Sequence, residues 1–212
     1  MKEPKQSERL FVLVADRDIE ETLRAVLHRP ASLGMRSVPF ECQRHPNRDG
    51  GCRASAAKFL RPFRNRFSHA LVVFDRRGCG SPETREAIEE KVESDLRRNG
   101  WKNCGKAIVI DPELERWLWS DSPAVIKGLG WNGGYADLRS WLEEMGVWDH
   151  SSAKPRKPKA ALSLTLERTD RRRTARVFGK IASQVSLVRC QDPAFGKLRT
   201  IVQAWFPRAP YS

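Results

Sequence analysis

The chain has 212 residues, with 39 Lys and Arg against 26 Asp and Glu and 40% apolar residues. Mean hydropathy is −0.58, and no apolar run approaches the ~18 residues of a membrane-spanning helix, so a helical membrane class is excluded. Seven Trp and nine Phe argue against intrinsic disorder.

The start, Met1-Lys2-Glu3-Pro4-Lys5, has no apolar leader core, and the five cysteines lack framework spacing. Both features point to a reducing cytoplasm rather than secretion. The length suits one α/β domain with an appendage. The net charge of +13 is uneven: residues 151–212 hold 14 basic residues against 3 acidic ones, leaving 25 against 23 upstream. That asymmetry favours a polyanionic partner, nucleic acid foremost.

Leu10-Phe-Val-Leu-Val14 is a continuous apolar run of strand length. Ile19, Leu23, Val26 and Leu27 follow at helical spacing and Pro30 closes them, which is the start of a βα unit. Residues 36–41 predict a weaker strand. His45–Cys52 predicts a turn-rich loop, and Ala54–Phe63 a short helix. His69–Phe74 is a second strong strand ending at Asp75. Ser81 and Pro82 then open a helix that runs to Arg98.

Ala107–Ile110 is a third strong strand, ending at Asp111, and Pro112 opens a helix through Leu114, Trp117 and Leu118. Helices are predicted near Pro123–Leu129 and Tyr135–Met145. A basic, Pro-bearing linker follows over residues 151–162. Thr169 or Asp170 caps a helix through Val185, and Asp192-Pro193 starts another. The expected architecture is a mainly parallel α/β sheet over residues 8–150, flanked by helices. A helical segment, 163–206, packs on it.

Three strong strands each end in an acid: Asp16, Asp75 and Asp111. In a parallel sheet their carboxyl ends share one edge, where the sites of open α/β folds gather. Glu20 lies one helical turn after Asp16, and Glu113 and Glu115 follow Asp111. Oxygen ligands with few histidines suit Mg²⁺ or Mn²⁺ rather than zinc. The competing role is helix capping, to which Asp111-Pro112 is best suited.

Leu10–Leu23 resembles the Toprim-like motif: an apolar strand, an acid at its end, and a second acid four positions on. Leu71–Asp75 looks like its second strand. Asp111–Asp121 is similar to the acid-x-Trp-Leu segment of RloB-like and OLD-type small defence proteins, with Glu115 in the acidic position. Arg189–Leu198 is similar to their closing segment.

The resemblance implies a Toprim-like fold and a Mg²⁺-dependent nuclease subunit of a bacterial, methylation-associated anti-phage system. Asp16, Asp75 and Glu115 would hold the metal. Asp16, Asp75 and Glu20 would be catalytic, with Glu20 as general base or as support for the ligands. The sequence departs from the pattern by Asp16 for Glu, Arg17 for Gly and Arg77 for the second acid of Asp-x-Asp. An arginine there opposes a cation or clamps a phosphate. A catalytically inactive adaptor for nucleic acid or partner subunits is therefore the alternative.

Nucleic-acid contacts are expected from Arg17, Arg76 and Arg77 at the edge, and from Lys157, Lys159, Arg171, Arg172, Arg173 and Arg176 in the tail. The last four are read as one positive helical flank. Expected partners are nucleic acid and other defence-system subunits, with a homo-oligomer possible and no membrane. Cys42, His45 and Cys52 have loosely zinc-like spacing, and incidental thiols are the competing reading. The tryptophans at 117, 119, 141 and 148 read as core.

Overall fold

The computed structural model describes residues 8–208. Four parallel strands, β1 (Leu10–Val14), β2 (Phe40–Arg44), β3 (His69–Asp75) and β4 (Gly105–Ile110), form one sheet in the order β2-β1-β3-β4. Every side chain of β1 is buried, as its unbroken apolar run requires of a strand covered on both faces. The helices between strands are α1 (Arg17–Leu27), the short α2 (Pro30–Leu33), α3 (Arg48–Leu60) and α4 (Arg85–Arg98). The crossover from β1 to β2 runs one way across the sheet, and those from β2 to β3 to β4 run the other. Right-handed connections therefore place α1 on one face and α3 and α4 on the other. Accordingly α3 packs on α4, β1 and β3.

After β4 come α5 (Glu115–Leu118), α6 (Pro123–Leu129), α7 (Tyr135–Glu144), α8 (Pro158–Arg168), α9 (Ala175–Ala182) and α10 (Pro193–Trp205). The C-terminal helices wrap the body: α8 lies on α5, α9 on α1 and α6, and α10 on β4 and α2. Among the described residues no helix is long and apolar enough to cross a membrane. Trp117, Trp119 and Trp148 are buried, and Trp141 packs half-buried against the core.

Several boundaries differ from expectation for local reasons. The second strand is 40–44 rather than 36–41, because Pro39 has no N–H to give the ladder and supplies only its carbonyl, to Leu10 N–H. The predicted loop His45–Cys52 is mostly helix, with α3 starting at Arg48. Gly51 serves close packing, since a Cβ there would lie 2.0 Å from His45 Nδ1, whereas Gly50 faces open space. Thr84, not Ser81, caps α4 through Ala87 N–H. Residues 151–162 are not a free linker, since Pro155 and Pro158 are buried and α8 starts at Pro158. The cap at Asp192 is as expected, accepting from Ala194 N–H and Phe195 N–H.

Edge strand β4 is closed by side chains. Glu93 Oε1 accepts from Ala107 N–H (3.3 Å) and Glu89 Oε1 from Val109 N–H (2.9 Å). Both glutamates are almost fully buried beneath Lys197 of α10, whose Nζ lies 3.1 and 2.7 Å from them. Two backbone donors that would recruit another strand are thus satisfied internally.

Candidate active site at the carboxyl edge of the sheet

In a 2-1-3-4 sheet the strand order reverses between β1 and β3, and the crevice outside their carboxyl ends is where open α/β folds place ligands. The register pairs Leu10 with His69 and Val14 with Val73. Carried past β1, the same offset sets Asp16 level with Asp75. These two acids flank the switch point.

Asp16 caps α1, with Oδ1 3.0 Å from Ile19 N, and its Oδ2 accepts from Arg48 Nη2 at 3.1 Å. Arg48 has φ +48°, a left-handed backbone for a non-glycine residue, at the start of α3 beside this crevice. Asp49, next in chain, accepts the backbone N–H of Asp75 at 2.9 Å. Gly78 makes room for it, since a Cβ there would stand 2.4 Å from Asp49 Oδ2.

Asp75 is the centre of the cluster. Its Oδ1 is shut off from solvent and has no hydrogen-bond partner among the described residues. Burial, then the charges of Asp49, Glu115, Asp16 and Glu113, hold its carboxyl well above the usual carboxylate range. Burial likewise raises Asp49, Asp18 and Glu115, with Arg173 pulling the last two back down.

The carboxylates are neutralised by arginines. Arg173 Nη2 bridges Asp18 (2.5 Å) and Glu115 (2.9 Å), and Arg77 Nη1 lies 3.2 Å from both oxygens of buried Glu113. Lys159 donates its backbone N–H to Glu113 Oε1 at 3.3 Å, and its charge lowers Asp18 and Glu115. Asp16, Arg17, Asp18, Glu20, Arg44 and Arg48 line an open polar groove of about 750 Å³ at this edge.

Asp16, Asp75 and Glu115 all lie at this edge, near enough for the charges of Asp16 and Glu115 to act on Asp75, but they do not form a group at metal-holding distances. Glu20 stands on the groove wall, paired with Arg24 (2.8 Å) and Arg44 (3.2 Å) rather than turned to Asp75. Asp111 does not cap a helix. It follows β4 into a cis bond to Pro112 and accepts from Arg76 Nε at 2.8 Å, which occupies Arg76 as well.

The tail arginines do not form one helical flank. Arg171, Arg172 and Arg173 lie in the non-helical stretch between α8 and α9, and only Arg176 is on a helix. Arg171 lies over Gly130 and reaches Gly128 O, Arg173 enters the acid cluster, and Arg176 lines a groove with Arg24 and His28. Arg17, Arg172, Lys157 and the side chain of Lys159 remain exposed.

Cys42 and Cys52 are buried, and burial pushes the Cys42 thiol up to about 12. His45 Nδ1 accepts from Asn47 N–H, so its proton is on Nε2, facing Ser55 Oγ at 3.0 Å. Ser55 Oγ–H in turn donates a hydrogen bond to Gly51 O at 3.1 Å. This histidine is a packing element with both nitrogens committed.

Asp18, Asp49 and Arg48 were not singled out as site residues in the sequence, and Glu113 was named only as an acid following Asp111. Asp49 lies in α3, five residues past the polar strand β2, so an acid closing an apolar strand is not the signal that finds it.

In donor type the residues fit a hard divalent cation: all are oxygens, and one buried oxygen has no partner. In spacing they are held by arginines, and no three His, Cys, Asp or Glu side chains among the described residues stand together at metal-holding distances. Arg173 holds Glu115 Oε1, so an ion bound through that oxygen would compete with the guanidinium.

Compared with protein-family models, curated proteins and solved structures, the chain has no significant match in any of the three.

Proposed function

We propose that the chain acts on nucleic acid as a metal-dependent phosphodiesterase of the Toprim-like kind, a subunit of a bacterial anti-phage system working in the cytoplasm with other subunits. The observation that carries this reading is the switch-point cluster. Asp16 and Asp75 flank it, the charges of Asp49, Glu115, Asp16 and Glu113 all act on the buried Asp75 carboxyl, and one Asp75 oxygen has no partner among the described residues.

Asp16, Asp75 and Glu115 would hold Mg²⁺ or Mn²⁺. Such an ion, when bound, neutralises phosphate charge and makes a bound water acidic. The chain's own contribution is placement and charge. Asp49 fixes the end of β3 by taking the Asp75 N–H, and Glu20 holds Arg44 at the groove wall. Arg77 pairs with Glu113 and Arg173 with Asp18 and Glu115; a guanidinium released from its carboxylate would offer a bidentate grip to phosphate oxygens.

The second reading is a non-catalytic adaptor, and a specific contact favours it: the Arg173 bridge between Asp18 and Glu115 supplies the positive charge that an ion would bring. Incubation of the purified chain with end-labelled DNA and RNA, in Mg²⁺, Mn²⁺ or EDTA, separates the two. The nuclease reading expects metal-dependent cutting that falls at least ~100-fold in Asp75→Asn and Glu115→Gln. Cutting equal in both variants, or binding without cutting in every metal, selects the adaptor.

A further inference from the structure

Beside α5, lined by residues other than the acids of the cluster, lies a half-enclosed cavity of about 270 Å³. Trp117, Leu118 and Trp119 form one wall, Val26 of α1 and Ile181 of α9 another, and Val185 to Gln191 close over it. The lining is mainly apolar, yet it holds two polar groups that an apolar core has no use for. Ser120 Oγ is buried with no hydrogen-bond partner among the described residues. Lys154 reaches in from the segment before α8, and its Nζ makes one hydrogen bond to a described residue, Arg116 O at 2.8 Å.

An apolar chamber with a few convergent polar groups is the form of a small-molecule site. An unpartnered buried hydroxyl is costly, and an ammonium partly shielded from water is costly too unless an anion faces it. Arg189 and Asp121 line it as well, and the charge of buried Asp192, which pairs with Arg116, also reaches Lys154. The size lies just under the ~300–1,000 Å³ of drug-sized ligand sites, which restricts the occupant to a small ring system.

From these features we infer that this cavity binds a small planar, largely apolar molecule bearing one carboxylate or phosphate, its ring between Trp117 and Val185 and its anion toward Lys154. Burial weakens the hold of Lys154 on its proton, and an anion beside it reverses that penalty. The inference rests on Trp117, Ser120 and Lys154 and is independent of the chemistry at the sheet edge.

The test uses 2-naphthoate and 2-naphthyl phosphate against neutral 2-naphthamide, by calorimetry and by quenching of tryptophan fluorescence on the full chain. The expected result is one site per chain, with at least one anion bound ~10-fold or more tighter than the amide. Lys154→Met should remove that preference while leaving the amide unchanged. Val185→Trp, which fills the chamber, should remove all three ligands. Leu187→Phe narrows it from the covering loop, which keeps the test open if Val185→Trp does not fold. No binding of any probe to the wild-type chain, equal binding of anions and amide, or full binding by a folded filled variant would overturn the inference.

Discussion

Asp75 ends an apolar strand, and each neighbour that makes it a site residue also makes it costly to fold. Its carboxyl is raised by burial first and by four other acids after that, so the folded chain holds this proton more tightly than the unfolded chain. The sign follows from linkage: where the folded state binds the proton more tightly, stability is full below the usual aspartate pKa and is lost as pH rises through the elevated one. In EDTA, Asp75→Asn is therefore expected to melt above the wild type at pH 8. The gap should close as pH falls toward the ordinary aspartate value. Each kcal/mol relieved reads as ~2–4 °C in a chain of this size, so thermal melts at pH 4, 6 and 8 decide it. A variant that melts lower than wild type at pH 8 would mean that the carboxylate is satisfied there.

Asp16 and Asp75 were legible in sequence because an acid closing an unbroken apolar strand has a known place in a parallel sheet. Asp49 was not, because Gly50 and Gly51 look like turn formers. Only the packed structure shows Gly51 serving contact with His45 inside a helix. Arg173 was legible as a basic residue but not as a partner of Asp18, 155 positions away. No periodicity encodes a contact of that separation.

At the scale of elements, β4 illustrates how a parallel sheet ends without inviting another strand. Glu89 and Glu93 sit one helical turn apart on α4, so both reach the same flank of the strand two residues apart along it. Burial pushes the Glu93 carboxyl up, but hydrogen bonds from Lys106 and Lys197 outweigh it and hold it below its ordinary value. Such a lowered group gives stability above the unfolded pKa and loses it on acidification.

Lys197→Met removes the cation shared by both glutamates while Arg85 and Lys106 remain. Lys197 itself is 28% exposed in its side chain, so a loss of about 1–3 kcal/mol is expected at neutral pH, below the figure for a fully buried pair. The urea midpoint measures it, and an unchanged midpoint would show the network to be screened. The sequence displayed α4 as a charged helix and β4 as an apolar strand. That the charges point at the strand's free N–H groups follows only from the sheet order.

Across the whole molecule, the basic excess of the last third is partly spent inside it. Arg173 neutralises Asp18 and Glu115, Lys197 neutralises Glu89 and Glu93, and Arg171 covers the turn after α6. Composition showed the asymmetry but not this division between internal pairing and free surface. Lys157 and Arg172 remain exposed, with no side-chain hydrogen bond among the described residues. Lys157→Ala with Arg172→Ala should lower the slope of log binding constant against log salt by about 1 per lost phosphate contact. Arg171→Ala should leave that slope unchanged, and filter binding across a salt series distinguishes the two.

The same division defines the central claim, that the acids at the switch point share a divalent ion against the hold of Arg173. Calorimetric titration of Mn²⁺ into the full chain at pH 7.5 tests it most directly. One site is expected, weakened at least ~10-fold in Asp75→Asn and in Glu115→Gln, and tightened in Arg173→Gln because the competing guanidinium is gone. Affinity that is the same in all four proteins, or no uptake by Arg173→Gln at millimolar Mn²⁺, would contradict the account.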